Sequence, residues 1–408
     1  MLAVWASAAH ACSCIPANPA AKLASADAAL VGTVEAKAQA PEGGTTYTVR
    51  VERALKGELG ERVTLHSAMT SCHVEYAVGA RIAVVLYGPS QDWDVGTCNS
   101  VDVRSLLAAA ELPPPSGTAR FVAAVEDDTV DAVALAANGK PAGYGWREGR
   151  PVALASCGRS ATATAFAGSS GRVRVSIRAL PDMIGAGSES RLALSRVSAL
   201  SCDASARRFW IAGEQGGRTV VIAVERRRSS LRLHSAPAGA AVSFSGGRAY
   251  VASAGRVDVV TLSSGKVRSV RHGGAFRSLS VASGRIAGRL RSGRAAILDL
   301  ASGRLRTGRR VDGLVWLSRT SLLDAGNGAV LDPRLKLVRR LSGTVGRVVG
   351  VRNGSAYLAS GALVRRLKPG ATRAEVFAEL PGKVVALTLV APTASVAWHS
   401  CQKSANSP

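Results

Sequence analysis

The sequence has few aromatic residues, little methionine and a shortage of acidic side chains. Of its 408 residues only 4% are Phe, Trp or Tyr, three are Met, and 28 Asp or Glu stand against 52 Lys or Arg, so the formal charge is +24. No apolar run reaches the length of about 18 residues that a membrane-spanning helix needs. Because 47% of the residues are nevertheless hydrophobic, the chain belongs with globular proteins, and disordered and collagen-like classes are excluded.

Signatures of enzymes are missing as well. The sequence contains no G-x-S-x-G nucleophile elbow, no H-E-x-x-H zinc motif and no G-x-x-x-x-G-K-[ST] phosphate loop. The six histidines are scattered without the spacing of metal ligands. We therefore expect a protein without catalytic residues, metal or cofactor.

Charge is divided unevenly along the chain. Residues 12–115 hold 8 Lys or Arg and 11 Asp or Glu, which leaves 44 basic and 17 acidic residues for the rest. Three consecutive prolines in the segment 111–117 disfavour helix and sheet and favour a stiff, extended spacer. We therefore predict one domain at 12–110, a linker at 111–117 and a second domain at 118–402.

Residues 1–11 look like the end of a secretory signal. An apolar stretch runs into Ala9-His10-Ala11, an A-x-A cleavage pattern, although the basic residues that usually open a signal are missing. Cleavage at this point makes Cys12 the first residue of an exported protein. We therefore expect an extracellular or cell-envelope location, with an uncleaved alanine-rich tail as the alternative.

Four of the seven cysteines fall in the first domain, and export favours disulfide bonds. Cys12 and Cys14 are too close in sequence for an easy bond with each other, so each is expected to reach a distant cysteine. We predict the bonds Cys12–Cys72 and Cys14–Cys98. A zinc site is the alternative, but it lacks the C-x2-C pairs that are common in such sites.

Alternating apolar and polar residues predict short β-strands in this domain, at 29–34, 47–53, 62–65 and 81–86. A short closing helix is predicted at 101–110 from its Ala and Leu spacing. Several short strands with one helix are typical of a small Greek-key barrel.

The order of these features resembles the tissue inhibitors of metalloproteinases and the wider netrin-like domains. The matching features are Cys12-Ser13-Cys14, the strand and turn at 47–57, Cys72 and Cys98. The resemblance covers about a quarter of the chain and implies an OB-type barrel over 12–110. It also implies the disulfide pairing given above, because in that family the first and third residues bond to two later cysteines.

The resemblance implies a possible activity. In the animal inhibitors, the α-amine and carbonyl of the mature N-terminal cysteine bind the catalytic zinc of a metalloprotease, and the next residue enters its specificity pocket. These roles would fall to Cys12 and Ser13. An α-amine has a pKa of about 8, so part of it is free to bind a metal. A metalloprotease is therefore one expected partner; the simpler interpretation is that the cysteines only fasten the N-terminus to the barrel.

From residue 118 onward the sequence repeats with a period of about 37 residues. The segment 246–266 corresponds to 282–304, and weaker copies follow at 322–338 and 353–370. Each copy predicts four short strands separated by Gly, Ser or Asp turns, which is the pattern of a β-propeller blade. The alternative, a pair of β-sandwiches, explains neither the period nor the turns.

The fold class we predict is all-β, with a small OB-type Greek-key barrel followed by a roughly seven-bladed β-propeller. Strands predicted at 383–389 and 394–398 leave one blade incomplete, and the strands that start at residue 120 are expected to complete it. Joining the two ends in this way removes an open sheet edge. Cys157 and Cys202 lie roughly one blade apart and form a further expected pair, which leaves Cys401 single.

Clusters of arginine fall where the outer strands of the blades are expected. They comprise Arg226, Arg227, Arg228, Arg309, Arg310, Arg339, Arg340, Arg365 and Arg366. One interpretation is a basic rim that binds acidic envelope polymers or anionic lipid headgroups. Another exported protein is a further expected partner. The other is that charged outer strands prevent aggregation at sheet edges. Nucleic acid is disfavoured, because few aromatic side chains are present to stack on bases.

These patterns predict an exported, noncatalytic binding protein whose propeller serves as an interaction or adhesion platform. Metalloprotease inhibition through Cys12 is the alternative function. A propeller enzyme is a third possibility, which requires acids from different blades to meet at the central channel, with Asp131, Asp299 and Asp324 as candidates.

We expect the mature protein to begin at Cys12 with a free amine and to contain at least two disulfide bonds. Intact-mass analysis of exported protein, with and without reduction and alkylation, and sequencing of its N-terminus measure both properties. A retained 1–11 segment, a blocked Cys12 or reduced thiols would contradict this expectation.

Overall fold

A computed structural model describes residues 18–390, apart from 42, 89–91, 169–171, 182, 226–229, 344–345 and the side chains of 92 and 184–189. Within these residues the chain is all-β, with two short helices, α1 (Pro19–Ser25) and α2 (Val103–Glu111). The expected signal segment 1–11 and the strand predicted at 394–398 lie outside the described residues.

The first domain contains one six-stranded sheet. Its strands are β1 (Ala28–Gln39), β2 (Thr45–Lys56), β3 (Arg62–Ser67), β4 (Arg81–Leu86), β5 (Asp92–Asp94) and β6 (Ser100–Val101). They are arranged in the order β5-β3-β2-β1-β4-β6. Strand β1 therefore pairs antiparallel with both β2 and β4, and β5 returns to lie parallel to β3. The four strands predicted from sequence lie within β1 to β4.

Both helices begin at a side chain that caps them. Oδ1 of Asn18 accepts a hydrogen bond of 2.7 Å from the backbone N–H of Ala21, and Asp102 accepts one of 2.9 Å from Ser105. Such caps satisfy N–H groups that have no partner within the helix. Helix α2 buries Leu106 against the sheet, where it packs with Val31.

The strands after the linker form seven antiparallel sheets of four strands each, counted over the described residues. We call these sheets blades and number them in chain order. Blade 1 comprises β10 (Arg150–Cys157), β11 (Ala161–Ala167), β12 (Val173–Ala179) and β13 (Ile184–Leu192). Blade 2 comprises β14 (Arg196–Cys202), β15 (Arg208–Gln215), β16 (Arg218–Glu225) and β17 (Ser230–Pro237). Blade 3 comprises β18 (Ala241–Ser245), β19 (Arg248–Ser253), β20 (Arg256–Thr261) and β21 (Val267–Arg271).

The remaining blades follow the same pattern. Blade 4 comprises β22 (Phe276–Ala282), β23 (Arg285–Leu290), β24 (Arg294–Asp299) and β25 (Leu305–Arg310). Blade 5 comprises β26 (Leu314–Ser318), β27 (Ser321–Asp324), β28 (Ala329–Leu331) and β29 (Leu337–Arg340). Blade 6 comprises β30 (Arg347–Arg352), β31 (Ser355–Ser360), β32 (Leu363–Leu367) and β33 (Glu375–Glu379). Blade 7 joins both ends of the domain and comprises β34 (Lys383–Leu389), β7 (Phe121–Glu126), β8 (Val130–Leu135) and β9 (Pro141–Trp146).

The blades close into a ring. The first strand of each blade contacts the first strand of the next, from β10 around to β34 and back to β10. These seven inner strands therefore surround a central channel, and the arrangement is a seven-bladed β-propeller. The alternative of two β-sandwiches is excluded. The predicted joining of the two ends of the domain is confirmed for the strand at 383–389, since Val384 pairs with Val125 and Leu387 with Ala123.

Middle strands of the blades are buried on both faces, because each blade is covered by a neighbour on either side. All six residues of β8 are buried, and so are five of the six in β7. Strands of this kind are almost continuously apolar instead of alternating. Ala and Val fill most of these positions, which explains how a chain with few aromatic residues packs seven sheets face to face.

The linker lies against the propeller. The carbonyl of Pro113 accepts a hydrogen bond of 2.8 Å from the Tyr144 hydroxyl, and the N–H of Ser116 donates to Pro141 at 2.8 Å. Ala20 of α1 and Ala109 of α2 pack in the same apolar cluster as Tyr144. The prolines therefore do not act as a free spacer: the segment is fixed along β9, and both helices rest on blade 7.

A disulfide bond joins the far ends of two inner strands. Cys157 ends β10 and Cys202 ends β14, and the structure links their sulfur atoms. Closing a loop of 45 residues contributes about 4 kcal/mol in the loop-entropy model. The bond therefore holds blades 1 and 2 together; Cys401 lies outside the described residues.

A buried ion pair connects blades 7 and 1. Both guanidinium Nη atoms of Arg178 donate to the carboxylate of Asp131, with Nη2 at 2.9 Å from Oδ2, and both side chains are fully buried. Oε1 of Glu148 lies 3.1 Å from the same guanidinium. Burial raises the pKa of Asp131, and the hydrogen bonds from Arg178 oppose that shift.

We expect Asp131→Asn to lower the free energy of unfolding by about 3 to 5 kcal/mol, because it leaves Arg178 buried without its main counter-charge. Urea denaturation measures the loss. Asp128→Asn is the matched control, since Asp128 is fully exposed and pairs with Arg147 at the surface; it should change stability little. Equal effects of the two variants would contradict the structural role of Asp131.

Candidate functional site

Basic side chains surround one end of the central channel. Because every blade has four antiparallel strands, the chain returns to the same end before each inner strand begins. Five of the seven inner strands carry an exposed basic residue at their first or second position there. These residues are Arg150, Arg196, Arg277, Arg347 and Lys383. We call this end of the ring the channel mouth.

One cavity at the mouth gathers three of the arginines. It has a volume of about 660 Å³ and lies between blades 2, 3 and 4. Arg196 comes from β14, Arg277 from β22 and Arg291 from the turn after β23. None of the three forms an ion pair with a described residue, and Arg291 Nη2 donates to the carbonyl of Gly239 at 3.2 Å. We call this space the anion cavity.

The one carboxylate among the residues that line the anion cavity is engaged elsewhere. Oε1 of Glu214 accepts hydrogen bonds from Thr219 Oγ1 at 2.8 Å and from the N–H of Gly239 at 3.0 Å. Thr219 in turn accepts from the N–H of Ala240 at 3.1 Å. Glu214 therefore holds the loop that forms the wall and makes no ion pair with the three arginines.

Apolar side chains complete the lining of the anion cavity. Val197, Val242 and Leu279 are half-buried there. A guanidinium group remains charged at any physiological pH and makes paired hydrogen bonds to carboxylate or phosphate oxygens. The lining is therefore suited to an anionic group that carries an apolar portion.

The basic side chains of a second cavity at the mouth are engaged by neighbouring groups of the same cavity. It measures about 400 Å³ and contains Arg150, Arg347, Lys383 and Glu126. Glu126 lies 2.8 Å from Arg150 Nε and 3.9 Å from Lys383 Nζ. Arg347 donates to the carbonyls of Val384 and Val385, at 3.0 and 2.7 Å. These groups fasten the joint between blades 6, 7 and 1, so the anion cavity is the stronger candidate.

The arginine clusters predicted as a basic rim are dispersed. Arg365 and Arg366 lie on β32, the third strand of blade 6, so their predicted outer-strand position is wrong. Both are half-buried, and the Arg366 guanidinium lies 5.9 Å from the centre of the Phe377 ring. The reason is that the outer strand of this blade, β33, begins only at Glu375, after the turn at residues 369–370 that follows the cluster.

Two other predicted rim residues are engaged between blades. Arg309 is half-buried 3.5 Å from Asp324, and Arg339 donates to the carbonyl of Ala371 at 3.2 Å. Arg310 and Arg340 are exposed on outer strands, as expected. Arg226, Arg227 and Arg228 lie outside the described residues.

The acids considered for a channel site do not converge. Asp131 and Asp324 are buried at contacts between different pairs of blades. Asp299 caps a turn, where the backbone N–H of Ser302 donates to it at 2.9 Å, and this hydrogen bond lowers its pKa. The channel enzyme hypothesis therefore loses the residues on which it was based.

Cysteines of the first domain are only partly within the described residues. Cys72 and Cys98 are both disulfide-bonded. Cys12, Ser13 and Cys14 lie outside the described residues, so the pairing Cys12–Cys72 and Cys14–Cys98 stays a prediction.

No group of three or more His, Cys, Asp or Glu among the described residues is arranged to hold a metal ion. Neither described helix is long and apolar enough to cross a membrane.

No family model and no curated protein matches the chain. Among solved structures, BamB from Moraxella catarrhalis is 12% identical with a TM-score of 0.42, over 61% of this chain and 91% of that one. A Lactobacillus plantarum protein (11%, TM-score 0.47, 67% and 100%) and Saccharomyces cerevisiae Sqt1 (15%, TM-score 0.47, 68% and 87%) are similar at the same level. The seven sheets of this chain themselves define it as a β-propeller.

The residues of the anion cavity were not predicted from the sequence. Arg196, Arg277 and Arg291 stand apart from the arginine runs, which were the signal used. What brings them together is their place in the repeat, since Arg196 and Arg277 occupy the first two positions of inner strands. An alignment of the blades by inner strand is the signal that would have revealed them.

We expect Glu214→Gln to raise the affinity of the anion cavity for inorganic pyrophosphate about two- to fivefold, since it removes the one negative charge from the lining while keeping a carbonyl for Gly239 and Thr219. Titration calorimetry measures the affinity. Glu375→Gln, at the opposite end of blade 6, makes the same change in net charge and should have no effect. A decrease with Glu214→Gln would show that this carboxylate takes part in binding.

Proposed function

We propose that the protein is an exported, noncatalytic binding protein whose propeller holds an anionic partner at the channel mouth. The observation that carries this proposal is the convergence of Arg196, Arg277 and Arg291, from two blades, on one cavity of about 660 Å³ without a carboxylate partner among the described residues. The fold brings these three guanidinium groups close together, and none of them has a carboxylate partner among the described residues. An external anion is therefore the group that would complete the site.

The lining of the cavity favours binding over catalysis. General acid–base chemistry at neutral pH usually needs His, or an acid or lysine with a shifted pKa. The residues that line this cavity include no His, Cys or Lys, and their single carboxylate is occupied by Thr219 and Gly239. Ser198 and Ser278 have hydroxyl groups, but the lining supplies no free base to activate them.

Another exported protein or an acidic envelope polymer is the partner class we propose. Carboxylate and phosphate groups on either partner fit the three guanidinium groups, and the half-buried Val197 and Leu279 offer contact to an adjoining apolar part. Binding through charge is weakened by salt, so the complex should be sensitive to ionic strength.

We also propose that the first domain is a netrin-like barrel of the OB type. Its strand order supports this, because β1 lies between β2 and β4 while β5 returns beside β3, which is a Greek-key arrangement instead of a simple meander. Cys72 and Cys98 both take part in disulfide bonds, as the resemblance implies. Through α1, α2 and the docked linker, this domain is carried at a fixed position on blade 7.

Inhibition of a metalloprotease through Cys12 and Ser13 remains the second candidate. It is favoured by the bonded state of Cys72 and Cys98, which are the cysteines expected to fasten the N-terminus. It requires a free Cys12 amine, so the intact-mass measurement described above decides whether it can hold.

We expect the triple variant Arg196→Gln, Arg277→Gln, Arg291→Gln to bind pyrophosphate at least about 100-fold more weakly, because each charge-assisted hydrogen bond contributes about 1.5 to 3 kcal/mol. Titration calorimetry at two salt concentrations measures the affinity and its salt dependence, which should become shallower.

The matched control changes three exposed arginines in turns at the opposite end of the ring. It is the variant Arg159→Gln, Arg207→Gln, Arg319→Gln, which lowers the net charge by the same amount. It should keep nearly full affinity. If it loses as much as the cavity variant, binding reflects overall charge and the proposed site is wrong.

A further inference from the structure

Two clefts lie side by side on the outer rim of the propeller, at the end of the ring opposite the channel mouth. The first, of about 430 Å³, lies between blades 3 and 4 and contains Arg248, Lys266 and Arg268. The second, of about 530 Å³, lies between blades 4 and 5. Its basic residues are Arg285, Arg304, Arg306 and Arg334. We call them the first and second rim clefts.

The internal repeat places the same chemistry at the same positions in both clefts. Arg248 and Arg285 are the first residues of the second strands β19 and β23. Lys266 and Arg304 each precede an outer strand. That strand opens with an aliphatic residue, Val267 or Leu305, in both blades.

The next position on each outer strand is an arginine fixed by the neighbouring blade. Nη2 of Arg268 donates to the carbonyl of Leu300 at 2.8 Å, and Nη1 of Arg306 donates to the carbonyl of Pro333 at 3.3 Å. Both carbonyls belong to the turn before the outer strand of the next blade. A guanidinium group has five N–H donors, so most remain available to a ligand while the group is held in place.

The single acid in the second cleft shapes a turn. Asp299 accepts hydrogen bonds from the N–H groups of Ala301 and Ser302 and from the Ser302 hydroxyl, at 3.1, 2.9 and 3.0 Å. Its carboxylate also lies 3.9 Å from Arg285 Nε. The second cleft therefore keeps an excess of three positive charges, the same excess as the first cleft, whose lining contains no acid.

Only one short turn separates the clefts. Leu300 and Ala301 line the first cleft, and Ser302, the next residue, lines the second. Ala301 and Ser302 are exposed and small. An extended chain that crosses this turn therefore meets both sets of cations without a bulky obstacle.

We propose that the two rim clefts are equivalent subsites for a single linear polyanion, a polymer of phosphate or carboxylate groups that crosses the turn between them. Charge complementarity and the repetition of the cations at adjacent blades favour a polymer over a small anion. Nucleic acid is less well matched, because the one aromatic residue in either lining, Tyr250, is 6% exposed and offers no ring face for base stacking. This site is independent of the anion cavity.

The test compares short and long anions on protein whose anion cavity is disabled by the triple variant described above. The probes are inorganic tripolyphosphate and a long-chain inorganic polyphosphate, and calorimetry counts the sites. We expect two tripolyphosphate sites per chain and at least tenfold tighter binding of the long chain, because the second cleft is engaged intramolecularly.

Each cleft is then removed in turn. Arg248→Gln with Lys266→Gln should abolish one tripolyphosphate site, Arg285→Gln with Arg304→Gln should abolish the other, and either pair should reduce long-chain affinity to about that of tripolyphosphate. The control pair Arg310→Gln and Arg340→Gln has the same charge change on exposed outer-strand residues away from the clefts and should do neither.

Three results would overturn the proposal. The first is no gain in affinity with chain length, which means that the clefts do not act together. The second is an equal loss with the control pair, which means that binding is nonspecific. The third is tighter binding of single-stranded DNA than of polyphosphate of equal charge, which means that the polymer class is wrong. Because the anion cavity is already disabled, none of these results depends on the proposed function.

Discussion

The pairing of β34 with β7 is the constraint on which the rest of the propeller depends. A single blade cannot bury its two faces alone, and each acquires cover only from the neighbours on either side. The C-terminal strand Lys383–Leu389 enters as the inner strand of the sheet that Phe121–Glu126 began, and this step turns a row of sheets into a ring. Without the strand β34, β7 and the inner strand of blade 1 would both be exposed to solvent. The ring would then be open, and the positions of the basic residues around the channel mouth would not be fixed.

Charged side chains connect neighbouring blades of this aromatic-poor chain through ion pairs and arginine hydrogen bonds. Asp131 with Arg178, Asp258 with His234 at 3.2 Å, and Asp324 with Arg309 each cross from one blade to the next. Burial lowers the pKa of His234, which favours the neutral form of the ring beside Asp258. Among the described residues, many basic side chains are thus engaged in contacts between blades.

Local spacing was enough to predict the repeat period of about 37 residues, the approximate number of blades and the strand at 383–389 that closes the ring. Each of these depends on turns at Gly, Ser and Asp and on apolar runs long enough for one strand, and both can be recognised in the sequence. The arginine sites did not follow. Arg196 and Arg277 are isolated in sequence and meet only after two blades have been placed around a ring. Arg339 belongs to one of the arginine clusters that are evident in the sequence, yet it donates a hydrogen bond to the carbonyl of Ala371 in the next blade. The docking of the linker was not predicted for the same reason. Its partners Pro141 and Tyr144 belong to strand β9, and the run of prolines gives no information about which strand it contacts.

The position of β7 has a mechanical consequence. This strand follows directly from the first domain and the docked linker, and it lies inside blade 7 with β34 on one side and β8 on the other. A pull applied through the first domain must first detach the linker from β9, and then slide β7 along both neighbours at once, which loads two rows of backbone hydrogen bonds together instead of opening them one by one. The propeller is therefore anchored to its first domain by a strand that is hydrogen-bonded on both sides.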